Sequence, residues 1–400
     1  MIAGIRRDSS LLPTASRAAG PAAAVEVLSD MTAAADIWRD FESRAEMTIF
    51  QKHAWLAAWQ KTVGAARGCA PRIAIVRDES GRCRMILPLM LDRRFGVPCL
   101  MWMAEDEADY HAPLVDGAFA RMADKETVAA ILTAVANAVP DAQMVDLCKT
   151  ARTIGNAPNP LAALPHTLHP SAAHAITLGH DWESLYAALR SKDTRRKDRQ
   201  RRRRLEQSGS FRLETARGAR ERHRLLDRIL EQKSIWLRAR GIADPFASAP
   251  ARAFLHKLID TPSLGDTLHI SAMTLDGVIV AGNFGYVQDG RFYAVIGSIA
   301  DGPVARHSPG IFHLHELIKW CISEGIATFD LTVGDEGYKA DWCDTRLDLV
   351  DIRLALSLTG SLAIGAARAR GSAKRYIKTS PRLFAAAQTA RRTLRRVWPA

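Results

Sequence analysis

The chain has 400 residues, a hydrophobic fraction of 48% and a formal net charge of +12. That length exceeds one ordinary compact domain and points to two, while no apolar run approaches the roughly 18–20 residues of a membrane-spanning helix. The six cysteines, at 69, 83, 99, 148, 321 and 343, show neither a CxxC nor any metal-ligand spacing, which suits reduced, buried thiols in a cytosolic protein.

Residues 1–24 carry early arginines but no continuous apolar core, so a disordered tail is expected there and not a secretory signal. "PRIAIVRDESGRCRMILPLML" (71–91) reads strand, tight turn, strand. A helical stretch near 121–138 follows, then "QMVDLCK" as a strand. These make a first α/β unit over 25–155. "NAPNPLAALPHTLHP" (156–170) holds four prolines, and 156–180 reads as a linker or crossover. A helix over about 181–206, a strand at 211–214 and an amphipathic helix over about 219–240 come next. "LHISAMTLDGVIVAGNFGYVQDGRFYAVIGSI" is three strands, with Asp276-Gly277 and Asp289-Gly290 as its turns. A helix over 311–324, the strand "ATFDLTV" and a last strand over about 347–356 close a second unit, 181–356. Residues 357–400 form a basic helical tail. "VDL" at 145–147 and "FDL" at 329–331 hold matching places in the two units, which reads as a duplicated α/β module.

The positive charge is concentrated. After Asp351 there is no acidic residue and eleven basic ones, and 190–204 holds ten basic and two acidic residues. The rest of the chain is mildly acidic, so the charge is not evidence that the body binds nucleic acid. The arginine run lacks the interleaved aromatics of a single-strand binder, and reads as a solvated face or a local anion contact. Beyond Ser380 and Pro381, apolar residues recur at three- and four-residue steps opposite Arg391, Arg392, Arg395 and Arg396. That basic amphipathic helix either docks on an anionic membrane surface or packs on the protein.

Two stretches carry chemistry. In "FDLTVGDEGYKADW" a buried strand holds Asp330 and then releases Glu336, Tyr338 and Lys339 into a short loop. Tyr338 can protonate a leaving group. Asp330 or Glu336 can act as base or orient an amine, and Lys339 can hold an acidic group of an acceptor or stabilise an oxyanion. Before the 311–324 helix, Arg306 and His307 precede Ser308, Pro309 and Gly310: a capping hydroxyl, a first-turn proline and a glycine that permits close approach. Exposed amides there suit a pyrophosphate, as they suit an ordinary capped helix. His313 and His315 are two apart and point to different sides of a helix, so they cannot share a metal, and no metal is expected.

The order of these parts resembles the GNAT acyltransferase superfamily, and more closely its double-module branch associated with cellulose and exopolysaccharide biosynthesis, related in fold to the Fem peptidyltransferases. "FQKHAWLAAWQ", "DYHAPLVD", "RRKDRQRRRRLEQSG", "VIVAGNFGYVQDGRFY", "SPG" and above all "FDLTVGDEGYKADW" carry the resemblance. It implies two tandem modules with mixed, mostly antiparallel sheets flanked by helices, and a splayed strand pair. It also implies acetyl-CoA or another acyl-CoA with its pyrophosphate at the start of the 311–324 helix. "SPG" is leaner in glycine and arginine than the usual GNAT pyrophosphate loop. A backbone N–H near Ser298 would polarise the thioester. The acceptor would be an amine or hydroxyl of an amino-sugar or polysaccharide precursor, shaped by the first module, with the enzyme in the cytoplasm or peripheral to the inner membrane. A Fem-like transferase using aminoacyl-tRNA and an inactive GNAT-fold scaffold are the alternatives; nucleic acid is the less favoured partner.

Overall fold

The structure is a computed structural model, and it describes residues 24–334 and 336–380. The expected N-terminal tail lies outside them except for Ala24, which opens a strand; the amphipathic stretch lies outside them except for Ser380.

Alternating apolar residues and left-handed turns build two sheets. The first runs Ala24–Leu28, Ala70–Arg77, Cys83–Arg94, Val97–Trp102, Met144–Ala151, Leu349–Ala355, His166–Leu168. Leu114–Asp116 joins its third strand and pairs in turn with Ala45–Glu46. The second runs Phe211–Thr215, Leu268–Leu275, Val278–Gln288, Arg291–Ile299, Thr328–Val333, Ala173–Thr177, Thr345–Leu347. Its two hairpins turn at Asp276-Gly277 and Asp289-Gly290, where all four residues have positive φ, the pairing that matches the strands' right-handed twist.

Each sheet contains one parallel pair, and each pair is short. In the first it covers Cys99↔Met144, Leu100↔Val145 and Met101↔Asp146. In the second it covers Arg291↔Thr328, Phe292↔Phe329 and Tyr293↔Asp330. Beyond these three rungs the strands part. A helix joins the members of each pair, Lys125–Ala138 in the first and Pro309–Ser323 in the second. The expected duplication is thus present down to the register, with "VDL" and "FDL" on equivalent strands.

Sheet membership departs from chain order at two strands. Leu349–Ala355, expected in the second unit, pairs with Met144–Ala151 in the first sheet. Ala173–Thr177, expected within the 156–180 linker, pairs with Thr328–Val333 in the second. The two modules exchange their closing strands, so neither 25–155 nor 181–356 is a complete sheet alone. The helix expected over 181–206 is two helices, Trp182–Leu189 and Lys192–Gln207, each with its own cap: Asp181 accepts from Ser184 N and Ser191 from Thr194 N. The tail helix is Leu358–Thr379, capped by Ser357.

The second sheet is covered on both faces. Helix Ala219–Ala239 packs on one, where the Gln232 side chain meets Ser298, and Pro309–Ser323 on the other, where His313 meets Ser271. The largest core cluster is shared by both modules: Trp38, Phe41, Phe50 and Trp55 pack with Ile229, Phe254 and Tyr286. Trp55 Nε1 donates to the Tyr286 hydroxyl at 2.9 Å and its ring lies edge-on to Phe254 at 4.9 Å. A large apolar interface of this kind fixes the modules against each other. Among the described residues no helix is long and apolar enough to cross a membrane.

Candidate active site

Strand Thr328–Val333 is buried on both sides, and its centre is a carboxylate. Asp330 is 0% exposed. A charge so placed needs partners, and it has three. Arg291 Nη1 lies 2.9 Å away, the Tyr110 hydroxyl donates at 2.6 Å and the Thr332 amide donates at 2.7 Å. Tyr110 comes from the first module, so this carboxylate ties the modules together. Thr332 has φ of 56°, a left-handed conformation costly for a β-branched residue. It kinks the chain where the pairing with Ala173–Thr177 shifts register.

Past the kink, Gly334 has φ of 147°. A Cβ here would collide with the Glu336 carboxylate and lie 2.8 Å from Lys339 Nζ, so the glycine lets that ion pair rest against the backbone. Lys339 Nζ reaches Glu336 at 3.0 Å and the Thr332 carbonyl at 3.3 Å. Lys339 is buried, Glu336 is half exposed, and Tyr338 on the same short helix, Gly337–Trp342, is 47% exposed. Burial, with Glu336 and Cys343 nearby, holds the Tyr338 hydroxyl above its usual range. Trp342 anchors this helix, stacking with Tyr186 at 6.0 Å and Trp182 at 6.4 Å around His315.

The residue that sequence reasoning did not assign is Asp109. Its Oδ2 is buried and has no hydrogen-bond partner among the described residues. Burial pushes its carboxyl up to about 6, against the pull of Lys149, the Thr332 side chain and Lys339. Lys233, from helix Ala219–Ala239, is shifted down by burial and feels Glu336, Lys339 and Asp109. Asp109, Thr332, Lys339, Glu336 and Lys233 are therefore one electrostatic cluster, built from both modules at the open end of the parallel pair. A carboxyl poised near neutrality is suited to taking a proton. The available signal was its place in "DYHAPLVD", directly before Tyr110.

The other expected residues are distributed differently. Pro303–His307 is a 3₁₀ turn bringing Arg306 and His307 to the start of Pro309–Ser323, with Arg306 Nε donating to His307 Nε2 at 3.2 Å. Ser308 is left-handed (φ 56°) and its side chain makes no capping bond, contrary to its expected role as a capping hydroxyl. A Cβ on Gly310 would lie 2.7 Å from Ile299 Cδ1. This glycine thus has a packing role: it seats the helix on its strand. The Ser298 hydroxyl donates to Gln232 Oε1 at 2.8 Å, on the face opposite that helix. The arginine-rich helix Lys192–Gln207 flanks the 303–307 turn, and Arg202 bonds Glu316 on the long helix at 2.6 Å. His313 meets Ser271 Oγ at 3.0 Å, while His315 sits in the aromatic stack. Among the described residues no His/Cys/Asp/Glu group is arranged to hold a metal.

A parallel pair that opens after three rungs, crossed by a helix, with titratable groups at its open end, is the geometry expected from the sequence resemblance. Residues 192–340 match the family model of an acetyltransferase (GNAT) domain. The match runs from the arginine-rich helix to Ala340, just past Lys339, and so covers the second-module half of the site. FemX has the same fold: 11% identity, TM-score 0.53, covering 81% of this chain and 96% of that one. A tandem GNAT protein from the clavulanic acid biosynthesis pathway (10% identity, TM-score 0.48, 84% and 99% covered) and L-PGS from Bacillus licheniformis (11%, 0.48, 84% and 97%) are also similar. No curated protein matches the sequence. The chain is a mixed α/β protein of two sheet bodies, and residues 192–340, in its second half, are similar to an acetyltransferase (GNAT) domain.

Proposed function

We propose that this protein is an acyl-CoA-dependent N- or O-acyltransferase whose acceptor is an amino-sugar or polysaccharide precursor. One observation supports the reading most: the opening between Arg291–Ile299 and Thr328–Val333 ends at a buried, two-module cluster centred on Asp109 and Lys339. In this reading the acyl thioester lies in the opening, and an amide N–H of Arg291–Ile299 polarises its carbonyl. The pyrophosphate lies near Arg306 and His307, and the arginine-rich helix beside them adds positive charge.

The role of base passes to Asp109. Asp330 is already occupied by Tyr110, Arg291 and Thr332, which makes it a positioning group. Asp109 takes the acceptor proton as the amine or hydroxyl attacks the thioester carbon. The tetrahedral intermediate collapses with loss of the CoA thiolate. Tyr338, kept protonated well above neutral pH, gives that thiolate its proton. Lys339, fixed on Thr332 O and Glu336, keeps the cluster electrically balanced.

The test is a thermal-shift panel with acetyl-CoA, longer acyl-CoAs and tRNA, followed by a CoA-release assay. A ligand at 100 times its Kd adds about 2.7 kcal/mol of stability. Stabilisation by an acyl-CoA is the expected result. Stabilisation by tRNA alone would transfer the reaction to an aminoacyl-tRNA donor, and no stabilisation by any of them would leave a non-catalytic scaffold.

A further inference from the structure

The tail helix Leu358–Thr379 is apolar on two opposite sides. On its inner side Gly360, Ala363, Ile364 and Ala367 are buried. The helix packs on Val97–Trp102, Met144–Ala151 and Leu349–Ala355 of the first sheet, and Ala363 and Ile364 join the core cluster that holds Cys99 and Met144. A Cβ on Gly360 would collide with the Gln143 carbonyl, so the helix start is seated closely. The outer side, which is polar on most surface helices, carries large apolar residues here. Leu358 is 82% exposed, Leu362 77% and Tyr376 68%, and Ala366, Ala369 and Ala373 are exposed with them. At about 3.6 residues per turn, these positions fall within roughly 80° of one another along about five turns. A continuous exposed stripe of this kind marks a contact surface.

Charge narrows what can cover the stripe. Arg368 and Arg370 are exposed and lie on either side of it, about 80–120° from its centre. From there a long side chain can rest its stem on apolar surface and keep its head in a polar layer. The helix holds five basic residues and no acidic one, and the chain has no acidic residue beyond Asp351. A second copy suits this face badly. A two-fold contact centred on the helix would set Arg368 and Arg370 against their own copies, with no carboxylate on the helix to answer them. A nucleic acid would answer the charge and leave the leucines wet. Anionic headgroups above an acyl layer answer both.

We propose that Leu358–Thr379 docks this protein on an anionic bilayer surface, with Leu358, Leu362 and Tyr376 at the acyl boundary and Arg368 and Arg370 among the headgroups. The helix lies along the surface and does not enter the bilayer, because its inner side belongs to the core of the first sheet. The docking face is complete without the amphipathic stretch beyond Ser380. The inference does not rest on the acyltransfer reading, since none of these residues belongs to the candidate active site.

The experiment is flotation of the full chain with vesicles of phosphatidylcholine alone and of equimolar phosphatidylcholine and phosphatidylglycerol. The mixed vesicles should carry the protein and the neutral ones should not. Raising the salt from about 0.1 to 1 M, which shortens the Debye length from about 10 to 3 Å, should release most of it. The double variants Leu358→Ser/Leu362→Ser and Arg368→Glu/Arg370→Glu should each bind the mixed vesicles at least 10-fold more weakly. All four residues are exposed, so the thermal melts of both variants should match wild type. Equal binding to the two kinds of vesicle, or none to either, would overturn the proposal. So would a leucine variant that floats like wild type, which would place the contact in other residues. Sedimentation should show the same oligomeric state for wild type and the leucine variant. A dimer split by that change would make the stripe an interface between copies and overturn the proposal as well.

Discussion

The two modules put an aspartate at the same place and use it differently. Asp146 and Asp330 each stand on the last rung of a short parallel pair, and each is 0% exposed. Asp146 is held by two guanidinium groups, Arg94 at 3.1 Å and Arg353 at 2.8 Å. Those arginines have further carboxylates, Glu105 and Asp351, so the first module fills its opening with an ionic network. Arg353 arrives on the exchanged strand. Asp330 has one arginine, a tyrosine hydroxyl and an amide, and the chain beyond it leads to a glycine and a lysine whose charge is felt by Asp109 of the first module. One duplicated aspartate faces two guanidinium groups; the other faces one.

The largest effect should come from Asp146→Asn. Two part-buried arginines would lose their shared charge, at a cost of about 3 kcal/mol. Urea melts should show that loss, while turnover per folded molecule stays near wild type. A matching loss of turnover would mean that the first module also takes part in chemistry.

Asp109→Asn sharpens the contrast from the other side. Turnover should fall on the order of 10²-fold with acyl-CoA affinity unchanged. Wild-type activity should rise with pH through about 6, the value to which Asp109 is raised, because only the ionised carboxylate accepts a proton. The sign for stability is opposite. A raised carboxyl pKa means that ionisation opposes folding, a cost absent below the unfolded value and complete above about pH 6. The variant should therefore be more stable than wild type at pH 7.5, with a smaller gain at pH 4.5. A variant less stable at pH 7.5 would show that the carboxylate is structural.

For Tyr338→Phe, a loss of kcat on the order of 10²-fold at most is expected, with little change in acyl-CoA binding, since only the departing thiolate needs that proton. Full turnover at every pH would remove the assignment. Tyr110→Phe is the mildest. It deletes one bond to a charged acceptor, worth about 1.5 kcal/mol, and should lower the melting temperature without splitting the transition, because the shared aromatic core still joins the modules.

Local patterns made much of this legible. The meander over 268–299 follows from two Asp-Gly turns and alternating apolar residues, and the "VDL"/"FDL" correspondence from a duplicated order of elements. The helix after "SPG" begins at Pro309 as its composition suggests. What failed were statements about partners. Nothing in "LVDIRLA" says that it pairs with Met144–Ala151 and not with its own module, since period-2 alternation fixes faces but not neighbours. Gly310 looked like room for a ligand because a glycine carries no mark of what fills the space beside it, here Ile299. Asp109 is a single acid in a loop, and only the burial supplied by the other module makes it unusual.

The exchanged strands also have a consequence for biosynthesis. When the first 168 residues have been made, the first sheet still lacks Leu349–Ala355, and Met144–Ala151 has an open edge. At roughly 5–20 residues per second, that edge waits on the order of 10–40 s for its partner. During this interval the nascent chain presents an unpaired apolar strand to every neighbour in the cell. A protein wired in this way folds as a whole or not at all, and its yield should depend on chaperone supply more steeply than its final stability would suggest.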